Sequence, residues 1–256
     1  MVDVAFTALY PWSLPPDKPR TDRAAARSER DLYAAHFRHA RIARLPADCP
    51  PWALGQDLGW VVRSPVTATL TPLSDTDVAV PEDEDVRAVS RRAGGGQMWR
   101  RGPDWIAVPD QGGSWLRRYD FRNSSGQWEA MFLPNGQGTV EWHLGVAVRL
   151  PQPYFLMVLP LDPPLPGLHV PVGIIGAKTV NTMTDISIAI HPTHPVAVRR
   201  EQPVARLVLL HPDTLRATST TTPLTAAPPA PASSPPDPAG PAAPVAAPNT
   251  TILDAS

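Results

Sequence analysis

Cysteine is nearly absent from this chain: Cys49 is the only one in 256 residues. An intrachain disulfide is thereby excluded, and a single thiol fits a reducing, cytoplasmic setting. Long apolar runs are missing as well. None approaches the roughly 18 residues that a membrane-spanning helix needs, so no membrane partner is expected. Nor does the N-terminus carry a basic stretch followed by an apolar one, so no secretory leader is expected. Excess charge of one sign is the third absence. The 23 Lys and Arg nearly balance 24 Asp and Glu, leaving a formal net charge of −1. No bulk field draws such a chain toward nucleic acid or an anionic surface.

What the chain has in excess is proline, 34 residues, of which ten lie between Pro223 and Pro248. From residue 217 to 251 the sequence is built of Thr, Ala, Pro and Ser with one charge, Asp237. Such a stretch buries too little apolar surface to offset the entropy of ordering it, which predicts a disordered tail over 217–256. The tail ends in NTTILDAS, where Ile252 and Leu253 form an apolar tip suited to docking on a protein partner. Deleting 217–256 is expected to leave the melting temperature nearly unchanged; a thermal melt of the truncated chain checks this, and a drop of many degrees contradicts it.

Residues 1–216 read as one globular domain. Thr21 and Asp22 are candidate caps for a helix over 21–45, with Leu32, Tyr33, His36, Phe37 and Ala40 at helical spacing and Pro46 beyond its end. The VAFTALY opening suits an edge strand, ADCPPWALG a loop, and VVRSPVTATLTPL a strand interrupted by Pro65. Residues 74–113 hold an acidic run (Asp75 to Asp85) before a basic one (Arg87 to Arg101). They read as a long loop excursion whose Trp99 and Trp105 dock back on the body. SWLRRYDF and QWEAMFL flank NSSG as a hairpin, and Asn135-Gly136 marks a second turn.

Gly138 to Pro212 then supplies successive apolar runs of strand length with a Pro or Gly in nearly every break. No helical segment separates them. This predicts a mainly β fold, an antiparallel barrel or sandwich with one N-terminal helix.

Few residues suggest chemistry. Glu141 and His143 stand two apart on a predicted strand and so share one face. With His191, or His169, they are the candidate ligands for a metal inside the β-body. His191-Pro-Thr-His194 cannot form a helical metal pair, because Pro192 and Pro195 exclude the helix, and it reads as a turn. His211-Pro-Asp213 lies at the start of the tail. Cys49 has no nucleophile signature around it, and Gly94-Gly95-Gly96 lacks the GK[ST] of a phosphate loop. Arg87 to Arg101 is expected to pair with the preceding acids. No catalytic residue or cofactor motif is identifiable.

Residues 173–210, ending in Arg200-Glu201-Gln202-Pro203-Val204-Ala205-Arg206-Leu207-Val208, resemble the closing strands of the dUTPase and dCTP-deaminase superfamily. The resemblance implies a β-clip architecture, often trimeric. The family's Asp-containing catalytic run is missing, since Gly176 follows Gly173-Ile174-Ile175. A wider stretch, about residues 45–212, is similar to an uncharacterised bacterial domain of unknown function. It does so through Gly59-Trp60, Phe132 to His143, the VGII…NTMT block and Glu201 to Val204. Together these features lead to two expectations. One is a non-catalytic binding or assembly protein, homo-oligomeric, with a tethered tail. The other is an enzyme of bacterial secondary metabolism with a small-molecule pocket in the β-body.

Overall fold

The computed structural model describes residues 2–19, 49–82, 84–92, 95–109 and 115–221, with isolated positions between 22 and 35. Met1–Ala217 is one compact unit and Thr218–Ser256 a second, of which 218–221 are described. The expected tail, with its tip at Ile252 and Leu253, thus lies almost wholly outside the described residues. Within the expected helix over 21–45, positions 24, 27, 28, 31, 32 and 35 are helical, and Asp22 Oδ1 accepts from the Ala24 amide at 3.0 Å. The rest of that segment lies outside the described residues.

In chain order the elements are β1 (Ala5–Ala8), α1 (Pro50–Gln56), β2 (Trp60–Arg63), β3 (Ala68–Leu70) and β4 (Thr76–Val78). Next come α2 (Val86–Arg92), β5 (Gly95–Arg101), β6 (Asp104–Pro109), a 3₁₀ turn at Trp115–Arg117, β7 (Phe121–Arg122) and β8 (Trp128–Glu129). Then follow β9 (Phe132–Gly136), β10 (Thr139–His143), β11 (Val146–Arg149), β12 (Phe155–Leu159), β13 (Leu168–His169) and β14 (Gly173–Gly176). The unit ends with α3 (Ala177–Val180), β15 (Ser187–Pro192), β16 (Val196–Val198), β17 (Pro203–Leu210) and α4 (Pro212–Arg216).

Two four-stranded antiparallel sheets dominate, ordered β13-β15-β10-β9 and β14-β12-β17-β2. Every strand of both comes from the apolar runs after Phe132 except β2. The arrangement is sandwich-like, with no closed barrel among the described residues. Alternation does the sorting: along β10, Val140 and Trp142 are fully buried while Thr139, Glu141 and His143 are half-buried on the other face. Ile188 and Ile190 of β15 face the core beside them, and Leu156, Val158, Ala205 and Leu207 come to the same core from the second sheet. β1 pairs with β11, as an edge strand.

Three local readings are corrected. The loop at Cys49 is a helix: Pro50 and Pro51 occupy the first turn of α1, where a missing N–H costs nothing and the fixed φ suits the helix. The second turn falls at Gln137-Gly138 and not at Asn135-Gly136. Both turn residues have positive φ (53° and 73°), and Gly136 pairs directly with Thr139 across a two-residue loop. The 74–113 excursion is folded. It forms the antiparallel sheet β4-β6-β5 beside α2, because Ile106, Ala107 and Val108 find burial inside the unit. Trp99 of that sheet packs on the common core, as expected. Arg92 also pairs with Glu84, as the charge pattern suggested.

The first hairpin is shorter than read, pairing only β7 with β8. Its turn is held by Asn123 Oδ1, which accepts from the amides of Ser125 and Gln127. Pro65 splits the long strand into β2 and β3, which join different sheets.

Candidate functional site

The outward face of the sheet β13-β15-β10-β9 carries most of the unabsorbed polar chemistry. Antiparallel pairing of β10 with β15 sets His143 opposite Ser187 and Glu141 opposite Ala189. Ser187 donates its hydroxyl to Glu141 Oε1 at 2.6 Å, and the same oxygen lies 3.8 Å from His143 Nε2. Glu141 and His143 therefore do share a face and do approach each other.

His191 does not join them. It lies on β15 opposite His169, and its Nε2 occupies the space a Cβ would need at Gly138, 2.9 Å away. Among the described residues no three His, Cys, Asp or Glu side chains are gathered as a metal ion would need. Period-two alternation puts Glu141, His143 and His191 on one face. It also spreads them along two strands, and the expected ligand set of Glu141, His143 and His191 is not assembled.

The partner that sequence reading missed is Asp185. It sits in the turn before β15, whose backbone is fixed by Ile186 N donating to Val146 O and Leu144 N donating to Ile186 O. One carboxylate oxygen is 3.1 Å from His143 Nδ1, and the other accepts from the Gly145 amide at 3.1 Å. A carboxylate only accepts, so Nδ1 carries the ring proton and Nε2 is directed away from Asp185. Gly145 in turn receives Ser13 Oγ and the Leu9 amide on its carbonyl. Asp185 thus ties β10 to β15 and orients the imidazole at once.

Electrostatics follow from this geometry. Burial pushes the His143 pKa down, but the Asp185 hydrogen bond and the charges of Asp185, Glu141 and Glu129 outweigh it. The net result is a pKa above the ordinary histidine value. Tyr10 is raised as well, first by burial and then by the charges of Glu129 and Asp185.

Beside the pair opens a cleft of about 490 Å³, whose walls include Trp99, Glu129, Leu133, His143, Met183 and Asp185. Trp99 comes from β5, so the region read as an excursion supplies one wall. A smaller hollow of about 280 Å³ adjoins Glu141 and Ser187, with Asn135, Val172 and Ile175 around it.

The arrangement can bind polar groups and can move a proton at Nε2 once His143 is neutral. It is not a serine–histidine–aspartate relay, because the Ser187 hydroxyl proton is committed to Glu141 and not to His143. The other singled-out residues lie apart. His194 is in the exposed turn between β15 and β16, as expected, and His211 caps α4, accepting from the Asp213 amide at 3.3 Å.

Replacing Asp185 by Asn leaves one acceptor oxygen where two are used, so one of its two bonds is lost. The expected cost is about 1–2 kcal/mol. The pH dependence has a definite sign. Because the folded pKa of His143 is raised, the stability it contributes is complete below the unfolded value, about 6.5. That contribution fades as pH rises through the higher folded value. Melting temperatures of the parent and Asp185→Asn should therefore differ most in mildly acid solution, and the gap should narrow, to that of the lost hydrogen bond, once pH passes the raised folded value. A gap that does not vary with pH would contradict the ion pair.

No helix among the described residues is long and apolar enough to cross a membrane. No family model matches the chain, and no curated protein does.

Proposed function

We propose that this chain is a binding protein for a small organic molecule, held in the cleft beside His143 and Asp185. The observation that carries the reading is a half-buried, oriented imidazole–carboxylate pair on the rim of a cleft with Trp99, Leu133 and Met183 as apolar walls. Its volume falls within the roughly 300–1,000 Å³ usual for ligand sites, and few but convergent polar groups in an apolar hollow are their ordinary composition. A binding role is favoured because, among the described residues, the Ser187 hydroxyl is bonded to Glu141 and not to His143, and no metal-ligand group is gathered. The single cysteine fits a cytoplasmic setting. The test is a fragment screen followed by NMR on the full chain. Shifts should cluster at His143, Trp99, Leu133 and Met183, and fragments that bind only elsewhere would defeat the reading.

A second reading, homo-oligomeric assembly, has its own support. β14 is the end strand of its sheet, and Val172 and Ile174 beside and within it are 61% and 45% exposed. Open strand edges with apolar neighbours readily take a further strand. The resemblance of 173–210 to an often trimeric superfamily points the same way. Native mass measurement should give a multimer that Ile174→Lys dissociates. A strict monomer in the parent chain rules this reading out.

A further inference from the structure

We infer that the cleft takes an organic cation, an ammonium or amidinium group carried on an apolar body, and that binding competes with protonation of His143. The inference rests on the cleft being a ligand site and names the charge of its ligand.

Among the described residues the carboxylates at the cleft come from different elements. Glu129 at the end of β8 and Asp185 in the turn before β15 line it, and Glu141 on β10 stands behind His143 in the adjoining hollow. Among the described residues no lysine or arginine lines the cleft. None contributes to the shift of His143, whose raising charges are Asp185, Glu141 and Glu129. Three carboxylates against one imidazole leave an excess negative charge in a partly enclosed space, where Coulomb forces are less damped than in bulk water.

His143 holds a proton more tightly than usual because the Asp185 hydrogen bond and the charges of Asp185, Glu141 and Glu129 outweigh its burial. Tyr10 is raised first by burial, and the charges of Glu129 and Asp185 add to it. In the ligand-free protein the imidazolium is the cation that this field stabilises. A cationic guest offers the field a second positive charge, and it binds best when His143 has given up its own. Trp99 and Met183 supply what the rest of such a guest needs. Aromatic faces attract cations, and thioethers adapt to apolar bodies of varied shape. An anionic guest meets the reverse: carboxylate charges that repel it, and one imidazolium already bonded to Asp185.

The test uses three probes that share an aromatic body and differ in charge: 2-phenylethylamine, 2-phenylethanol and 3-phenylpropanoate. Each is titrated calorimetrically into the full chain at about pH 5.5 and about pH 8, either side of the usual histidine range. The amine should bind about tenfold or more tightly than the alcohol at the higher pH, and the propanoate most weakly. Amine affinity should fall several-fold at the lower pH. Glu129→Gln removes one exposed carboxylate while keeping an acceptor for Asn123 Nδ2, and it should cut amine binding several-fold more than alcohol binding. A propanoate that binds as well as the amine, or an amine whose affinity grows on acidification, overturns the charge assignment and leaves the cleft standing as a site. Failure of all three probes to bind overturns both the assignment and the site.

Discussion

Gly59→Ala should be among the most damaging single substitutions in the chain. Gly59 has φ +74°, and a Cβ built there would lie 2.0 Å from the Leu207 carbonyl oxygen and 3.0 Å from its carbon. The obstacle is backbone of β17, the strand that pairs with both β12 and β2, so no side-chain rotation relieves it. The left-handed conformation costs an L-residue about 1–2 kcal/mol before any clash is counted. Removing the overlap requires β2 to move off β17 just where Trp60 pairs with Leu207. A total above about 3 kcal/mol is expected, which in a domain of this size lowers the melting temperature by about 10 °C. Gly102→Ala is the matched control. It too has positive φ, +57°, but nothing lies within 4 Å of its Cβ position, so only the conformational cost of about 1 kcal/mol applies. Equal losses in the two variants would mean that Gly59 does not sit against β17.

Phe132→Ala should cost about 3–5 kcal/mol by the usual sum of lost transfer energy and cavity. Phe132 is completely buried. It contacts three aromatic rings, with centroids 4.9 Å from Trp115, 5.1 Å from Trp142 and 5.6 Å from Tyr119. The Nε1 groups of Trp115 and Trp142 are both buried without a hydrogen-bond partner. Leu133 follows on the opposite face of β9 and forms part of the cleft wall. Loosening β9 should therefore weaken ligand binding as well as stability. Urea unfolding gives the stability loss, and Phe132→Leu, which keeps most of the volume, should recover most of it. A Phe132→Ala loss below about 1 kcal/mol would contradict the aromatic core.

Strand-rich runs after Gly138 were legible because their alternation and their Pro and Gly breaks are local signals. The shared face of Glu141 and His143 was legible for the same reason. Local chemistry misled at Pro50-Pro51, where two prolines open a helix instead of forbidding one. It misled again at Asn135-Gly136, where a favourable turn pair is overridden by strand pairing that continues to Gly136. The 74–113 stretch reads as loop because its apolar residues are few, yet Ile106 and Val108 are enough once the unit offers them a core. Asp185 was not legible at all. Its partner His143 is 42 residues away, and only the pairing of β10 with β15 brings them together. Trp99 and Glu129 belong to other sheets, so the cleft is a product of tertiary packing with no signature in any one segment.

The account turns on His143 being an oriented, carboxylate-held imidazole at a cleft that prefers positive charge. The most direct measurement is the NMR titration of its ring, with and without saturating 2-phenylethylamine. The free protein should give a His143 pKa above the ordinary value, and the bound amine should lower it. A free value at or below the ordinary one, or a value that the amine leaves in place or raises, would contradict the account.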